Sequence, residues 1–237
     1  MGVVTVYGRM AVLEALAAGG VELVLVARNA RGDTVDDIVR LAAERGVTLR
    51  KVAPEKVTRM SGNGRHDQGV VAEVAAPGLR PLDQWLTSTA PDAVLVLDGV
   101  TNPQNVGMII RTAAAAGLDG VVLPEVGSPG VGPLVVKASA GVAFRAIILS
   151  TPTAADAVAQ LRAAGLTVIG LRAGAPSLYE GALPRRAAWV LGGEHDGVTV
   201  DVDEWRSLPL ANGVESLNVA VTAGIVAYEL VRARRPG

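Results

Sequence analysis

The sequence predicts a two-domain α/β protein: a small amino-terminal α/β unit, a short linker, and a larger unit built on a mainly parallel sheet. Three observations predict it. Short apolar runs of strand length alternate with stretches of helical spacing along the chain. The later runs, such as Ala93–Leu97 and Ala187–Leu191, are almost continuously apolar, as strands covered on both faces must be. Between the two patterns, Pro77, Gly78, Pro81 and Pro91 interrupt a stretch with little apolar periodicity.

In order, Val3–Tyr7 reads as a strand and Ala11–Ala17 as a helix. Leu23–Ala27 follows as a buried strand, and Thr34–Glu44 as a helix capped by Asp33 or Thr34. Val47–Val52 is a strand, Pro54–Met60 a helix with proline in its first turn, and Gly69–Ala75 a strand. This unit is assigned residues 1–76, and the linker 77–92, with a short helix near Trp85. The larger unit, 93–237, predicts strands at Ala93–Leu97, Gly120–Leu123, Ala146–Leu149, Thr167–Leu171, Ala187–Leu191 and Ser207–Leu210. Its helices are Asn105–Ala116, Ala154–Ala164 and Leu217–Arg232.

With 237 residues, half of them hydrophobic and 19% charged, the chain can bury a large core. Its most apolar stretch, Val219–Tyr228, is far short of the roughly 20 apolar residues that cross a bilayer. No basic flank and apolar core of a secretory signal follow Met1, which points to the cytoplasm. Zero cysteines exclude disulfides, thiolate metal sites and cysteine nucleophiles, and His66 and His195 alone make a multi-histidine metal site improbable. A net charge of −1 does not advertise a polyanion partner, yet Arg45, Arg50, Lys51, Lys56, Arg59 and Arg65 face the single acid Glu55 within residues 45–65. Seven aromatic residues are too few for a sheet that stacks bases.

Three polar, glycine-containing clusters fall at strand ends of the larger unit, where open α/β sheets hold ligands. The first runs from Asp98 to Gly107 and continues along a helix to Arg111, Thr112 and Ala113. An arginine in the first two turns of an otherwise apolar helix needs an anionic partner, so its charge is expected to face a site. The second, Leu191–Gly197, puts Gly192 and Gly193 where a ligand could approach the backbone, with Glu194 next in line. The third, Pro209–Val221, holds Ser216, a candidate N-cap, and Asn218, whose amide among apolar neighbours is expected to be buried and in need of partners. The Gly127–Gly132 stretch is not read as a nucleotide loop, because its glycines are in the wrong order and Pro129 and Pro133 interrupt it.

Together these clusters resemble the three motifs of the SpoU branch of the SPOUT RNA methyltransferases. Asn105-x-Gly107-x-x-x-Arg111-Thr112-Ala113, Leu191-Gly192-x-Glu194 and Ser216-Leu217-Asn218-Val219-x-Val221 occur in the family's order. Tyr7-Gly8-Arg9-x-Ala11-Val12 and Gln68-Gly69-Val70-Val71-Ala72 are similar to the small L30e-like domain of members that act on ribosomal RNA. The chain departs at Glu194-His195-Asp196-Gly197, where the family has Glu-Gly-x-Gly. The resemblance implies a trefoil knot in the larger unit, S-adenosylmethionine as cofactor, no metal, and a homodimer with its active site at the interface. It also implies methylation of a ribose 2′-hydroxyl, in 23S ribosomal RNA; transfer RNA or an antibiotic-linked ribosomal site is the alternative substrate, and a non-catalytic RNA-binding assembly factor the alternative class. The implied catalytic residues are Asn105, Arg111, Glu194, Ser216 and Asn218; the family's proposals make the arginine the base, but a guanidinium stays protonated, so Arg111 is read as phosphate anchor and oxyanion stabiliser, with the proton acceptor left open. Leu171, Gly192, Gly193, Leu208, Leu210 and Leu217 would hold the cofactor, and Arg9, Arg50, Lys51, Arg59 and Arg65 the RNA. His195 lies outside the family pattern and reads as an exposed loop side chain.

Overall fold

A computed structural model describes residues 3–75 and 79–234. They separate into two units, one of 3–75 with 131–145 and one of 79–130 with 146–234. In the first, β1 (Val3–Tyr7), β2 (Val21–Ala27), β3 (Thr48–Val52) and β4 (Val70–Ala75) form a sheet in the order β1-β4-β2-β3. β4 is antiparallel to both β1 and β2, and β3 joins β2 in parallel as an edge. Helices α1 (Arg9–Ala18) and α2 (Asp33–Glu44) pack on one another, while α3 (Pro54–Ser61) lies against β1, β2 and β4. Proline opens α3 as expected. Neither Asp33 nor Thr34 caps α2; Gly32 is its N-cap without a side-chain bond, and Asp33 and Asp36 lie inside the first turn, where their charge suits the positive helix end.

Residues 131–145 supply α6 (Pro133–Ala138) and a 3₁₀ turn (Val142–Phe144) to this same unit. The Lys137 ammonium sits 5.4 Å from the Tyr7 ring centre, and the Tyr7 hydroxyl accepts from Asn63 at 3.2 Å. A Cβ on Gly141 would lie 2.5 Å from that of Glu14, so the turn rests directly on α1.

The second unit is a seven-stranded, wholly parallel sheet. Its strands are β5 (Arg80–Pro81), β6 (Ala93–Asp98), β7 (Gly120–Pro124), β8 (Ile148–Thr151), β9 (Thr167–Leu171), β10 (Ala187–Gly192) and β11 (Glu204–Arg206), in the order β11-β9-β10-β6-β7-β8-β5. Alternate residues of its central strands face opposite ways. Val94, Val96, Val122 and Val190 pack with Ala157, Val158 and Leu161 of α7 (Ala154–Ala163). The intervening Leu95, Leu97, Trp189 and Leu191 are fully buried on the other side, the side of α5 (Pro103–Ala115) and α8 (Val219–Arg234). Thr153 and Asp156 close a reciprocal capping box at the start of α7.

Three further expectations are corrected. Of the linker, residues 76–78 lie outside the described residues, but Arg80–Pro81 is the edge strand beside β8, and Leu82 and Trp85 of α4 (Leu82–Leu86) are buried in the second unit's core. Proline suits that edge because it has no N–H to donate. The strand expected at Ser207–Leu210 lies earlier, at Glu204–Arg206, where the Trp205 ring packs on Gly170 so closely that a Cβ there would sit 2.7 Å from it. Ser207 keeps only an isolated bridge to Ser177, and Pro209 could not extend the ladder. The last helix starts at Val219, not Leu217, because the Asn218 side chain accepts the Ala220 N–H at 2.9 Å as an N-cap does.

Candidate active site

The sheet order reverses between β6 and β10: the chain runs outward from β6 through β7 and β8, then returns to fill β9 and β10 on the other side. Loops leaving the carboxyl ends of strands at such a point diverge and leave a crevice. Here they surround a cleft of about 1040 Å³ beside β9, β10 and β11, with a notch of about 360 Å³ beside β6.

Gly192 and Gly193 are required by the chain's own backbone. A Cβ on Gly192 would meet the Gly197 carbonyl carbon at 2.0 Å, and one on Gly193 would meet the Gly99 carbonyl oxygen at 2.3 Å. The space that side chains would need there is taken up by the loops from β6 and β10 themselves. The Gly193 N–H donates to the Asp98 carbonyl at 2.7 Å, and the Gly197 N–H returns to Gly193 at 3.1 Å, closing a tight turn through Glu194, His195 and Asp196. Gly197 takes a left-handed φ of 65°, so the turn closes although the second residue is histidine. The buried Asp98 carboxylate accepts the Thr199 hydroxyl at 3.0 Å and the Val200 N–H at 3.2 Å, pinning the far side of the turn. Asp98 and Thr199 were missed as site residues; the available signal was a carboxylate ending an otherwise apolar strand.

One relay of side chains joins the three clusters. Asn218 Oδ1 accepts the Ala220 N–H, which turns its amide nitrogen toward Asn105 Oδ1 at 3.1 Å. That contact in turn directs the Asn105 amide nitrogen onto a Glu194 carboxylate oxygen at 2.8 Å. Each amide is thus oriented by its neighbour, and the N–H groups at the start of α8 set the sense of the whole chain. Asn105 is buried on α5, whereas Glu194 and Asn218 are exposed at the rim; the expectation that the Asn218 amide is buried is corrected, because its capping position puts it at the helix entrance. Ser216 is exposed and lines the cleft, and His195 is exposed on the turn.

Arg111 departs from expectation. It is exposed, lines neither cavity, and has no hydrogen bond or ion pair among the described residues. The reason is helical geometry: six residues past Asn105 at about 100° each, it points about 120° around the helix from the face that bears the relay. Met108, one turn before it, is likewise exposed.

Leu171, Gly192, Gly193, Leu208, Leu210 and Leu217 all line the larger cleft. Among the described residues, the only main-chain hydrogen bond between Leu208 and Leu217 is Val214 N–H to Ala211, so this wall presents free peptide groups beside leucine side chains. A wall of that kind suits a ligand with a flat base and a polar tail. Arg172, its guanidinium 4.5 Å above the Trp205 ring, is the one cation of the lining, and Glu194, Asp196 and Glu215 are its acids. No group of three or more His, Asp or Glu side chains among the described residues could hold a metal ion. No helix among them is long and apolar enough to cross a membrane.

Of the basic residues, Arg50 and Lys51 are neighbours on β3 and so point to opposite faces of the sheet, while Arg59 lies on α3 and Arg65 in the loop after it; all four are exposed. Arg9 opens α1, with its N–H on the Gln68 side-chain oxygen at 2.9 Å.

Residues 92–228 match the SpoU rRNA methylase family, and residues 5–79 match the RNA 2′-O ribose methyltransferase substrate-binding domain. The 23S rRNA (guanosine-2′-O-)-methyltransferase RlmB of Xylella fastidiosa is 36% identical over 220 residues, 89% of this chain and 88% of that protein. An uncharacterized tRNA/rRNA methyltransferase of Mycolicibacterium gilvum is 33% identical over 97% of this chain and 76% of its own length. The crystal structure of the SpoU methyltransferase AviRb from Streptomyces viridochromogenes in complex with AdoMet shares the fold, with a TM-score of 0.81 at 24% identity over 98% of this chain and 91% of that one. Fold, cleft and matched regions define an RNA ribose 2′-O-methyltransferase. Within that class, the chain belongs to the SpoU rRNA methylase family.

Proposed function

We propose that the chain methylates the 2′-hydroxyl of a guanosine in 23S ribosomal RNA, in the cytoplasm and as a homodimer. The relay Glu194–Asn105–Asn218 at the rim of the cleft carries the site assignment; likeness to the RlmB protein of Xylella fastidiosa supports the substrate. The leucine-lined cleft and the free peptide groups of residues 208–217 suit the cofactor, with Leu171, Gly192, Gly193, Leu208, Leu210 and Leu217 around it. Bound there, S-adenosylmethionine supplies a methyl group activated by a positive sulfur. The trefoil threading of the larger unit belongs to the same reading.

The protein's part is to hold a weakly acidic hydroxyl in line and to stabilise the oxygen as charge develops on it. Glu194, with one oxygen held by Asn105, keeps the other for a hydrogen bond from substrate. Ser216 and Asn218 orient the ribose at the same rim. Arg111 serves from a second copy. With Met108 on α5 and Val221 and Tyr228 on α8, it forms an exposed stripe on two helices that pack together. A stripe of that composition is suited to a two-fold contact, and a second copy seated on it would carry its guanidinium to this chain's rim as phosphate anchor and oxyanion stabiliser. Arg9, Arg50, Lys51, Arg59 and Arg65 contribute to RNA docking.

Methyl-labelled S-adenosylmethionine, incubated with the protein and separately with 23S ribosomal RNA, transfer RNA and protein-free buffer, tests the reading. Label recovered as 2′-O-methylguanosine from the ribosomal RNA is the expected result. Label in transfer RNA alone would move the substrate, and none in either RNA would leave a binding protein without methyl transfer.

A further inference from the structure

The exposed positive charge of the smaller unit is not confined to the basic run 45–65. Arg28 and Arg31, outside that run, are exposed in the turn from β2 to α2. Three segments meet at this end of the sheet: the start of α1, the turn 28–32 and the loop 62–69. A Cβ on Gly69 would lie 3.1 Å from the Ala30 methyl, and one on Gly32 would lie 3.5 Å from the Arg9 guanidinium.

Two of the guanidiniums are already anchored. Arg9 Nε donates to the Gln68 carbonyl at 3.3 Å, and an Arg31 terminal nitrogen donates to the carbonyls of Arg28 and of Ala30, the latter at 2.8 Å. Their other donors have no protein acceptor among the described residues, and no carboxylate there pairs with Arg9, Arg28, Arg31 or Arg65. Arg40 of the same unit is different, because Asp37 and Glu44 take up its charge at 2.9 and 3.1 Å. Gln68 is a non-glycine residue at φ 52°, a conformation that costs energy when a Cβ is present. Its side-chain oxygen accepts the Arg9 main-chain N–H and its carbonyl accepts Arg9 Nε, so the strained residue holds both the start of α1 and the Arg9 guanidinium.

We propose that Arg9 and Arg31, held by main-chain carbonyls, form with the unpaired Arg28 and Arg65 a grip for successive phosphodiesters of the RNA substrate, with Gln68 as the residue that positions Arg9. The inference rests on the RNA-methyltransferase reading and adds Arg28, Arg31 and Gln68 to it. A guanidinium fork matches two phosphate oxygens, and a fork already held by main-chain carbonyls loses less freedom on binding than a loose one. Grips of this kind fix register and orientation, and leave base choice to other contacts.

The test is binding of the full-length protein to labelled, mixed-sequence single-stranded RNA across a salt series, read by fluorescence anisotropy. Arg28→Ala with Arg31→Ala should bind at least tenfold more weakly at low salt, with a slope of log affinity on log salt shallower by about 1.4, the release expected for two single-strand phosphates. Arg28→Ala alone, whose side chain makes no hydrogen bond within the described residues, should show half that change in slope even if the Arg31 substitution disturbs the turn. Gln68→Gly removes the strain and the side-chain acceptor together. It should melt no lower than wild type yet raise KM for RNA, leaving kcat and cofactor affinity unchanged, a split that a merely structural residue would not produce. Arg40→Ala should match wild type. Wild-type slope in the double variant, or an equal loss in Arg40→Ala, overturns the grip. Equal competition by polyglutamate would overturn it in favour of an acidic protein partner, and wild-type protein that neither binds nor methylates RNA overturns the underlying reading as well.

Discussion

Asn105 is where the site is most sensitive to a single atom. Its amide donates to Glu194 at 2.8 Å and accepts from Asn218 at 3.1 Å, and being buried it cannot exchange either partner for water without cost. Asn105→Ala breaks the relay while leaving the Asn218 cap on α8 in place. Methyl transfer measured in a single turnover at saturating RNA and cofactor should fall about tenfold to a hundredfold, the range expected when an oriented hydrogen bond at a reacting centre is lost. Asn105→Asp should be at least as damaging, because an aspartate can still accept from Asn218 but cannot donate to the Glu194 carboxylate. An aspartate variant that works like wild type would show that the relay does not orient the reacting groups.

At the scale of elements, α8 joins the site to a charge pair at its other end. Asn218 caps its start, and near its finish the buried Glu229 carboxylate receives Arg232 through two nitrogens at 2.8 and 2.6 Å. Those bonds hold the Glu229 carboxyl below its usual value of 4.5, outweighing burial, which pushes the other way. A carboxyl with a lower pKa in the folded state than in the unfolded one stabilises the fold above the unfolded value, and that contribution is lost as pH falls through the folded value. Glu229→Gln should therefore melt below wild type at neutral pH, and the two melting curves should converge as pH drops below 4.5. Thermal melts across that range check it, and a gap that persists undiminished in acid would mean that packing, not ionisation, carries the contribution of Glu229.

At the scale of the whole molecule, the exposed Arg111 and the relay lie on different faces of α5, and the proposed two-fold pairing would serve both. If Arg111 completes the partner's site, the variants Asn105→Ala and Arg111→Ala should each be nearly inactive, yet regain activity when mixed and allowed to exchange subunits. Half of the dimers would then be hybrids with one intact site of two, restoring about a quarter of wild-type sites in a two-fold assembly. The readout is methylation before and after exchange, with sedimentation to confirm dimers. Failure to regain activity in dimers that have exchanged would place Arg111 and Asn105 in the same subunit's site, or Arg111 in none.

The sequence by itself determined the alternation of strands and helices, the existence of two units, the family, and most of the cleft lining. Those properties are local: apolar period, proline and glycine punctuation, and short motifs whose spacing survives in one dimension. Tertiary structure alone decided the rest. Residues 80–86, proline-marked as a linker, are drawn into the second sheet because a strand edge and a buried pocket for Leu82 and Trp85 await them. Residues 131–145 serve the first unit although the chain around them builds the second. The glycines of the second cluster answer to the chain's own loops, and Arg111 turns away from Asn105 because helix rotation, not sequence distance, sets direction. Each of these depends on what a distant segment places opposite, a quantity that no local window of residues contains.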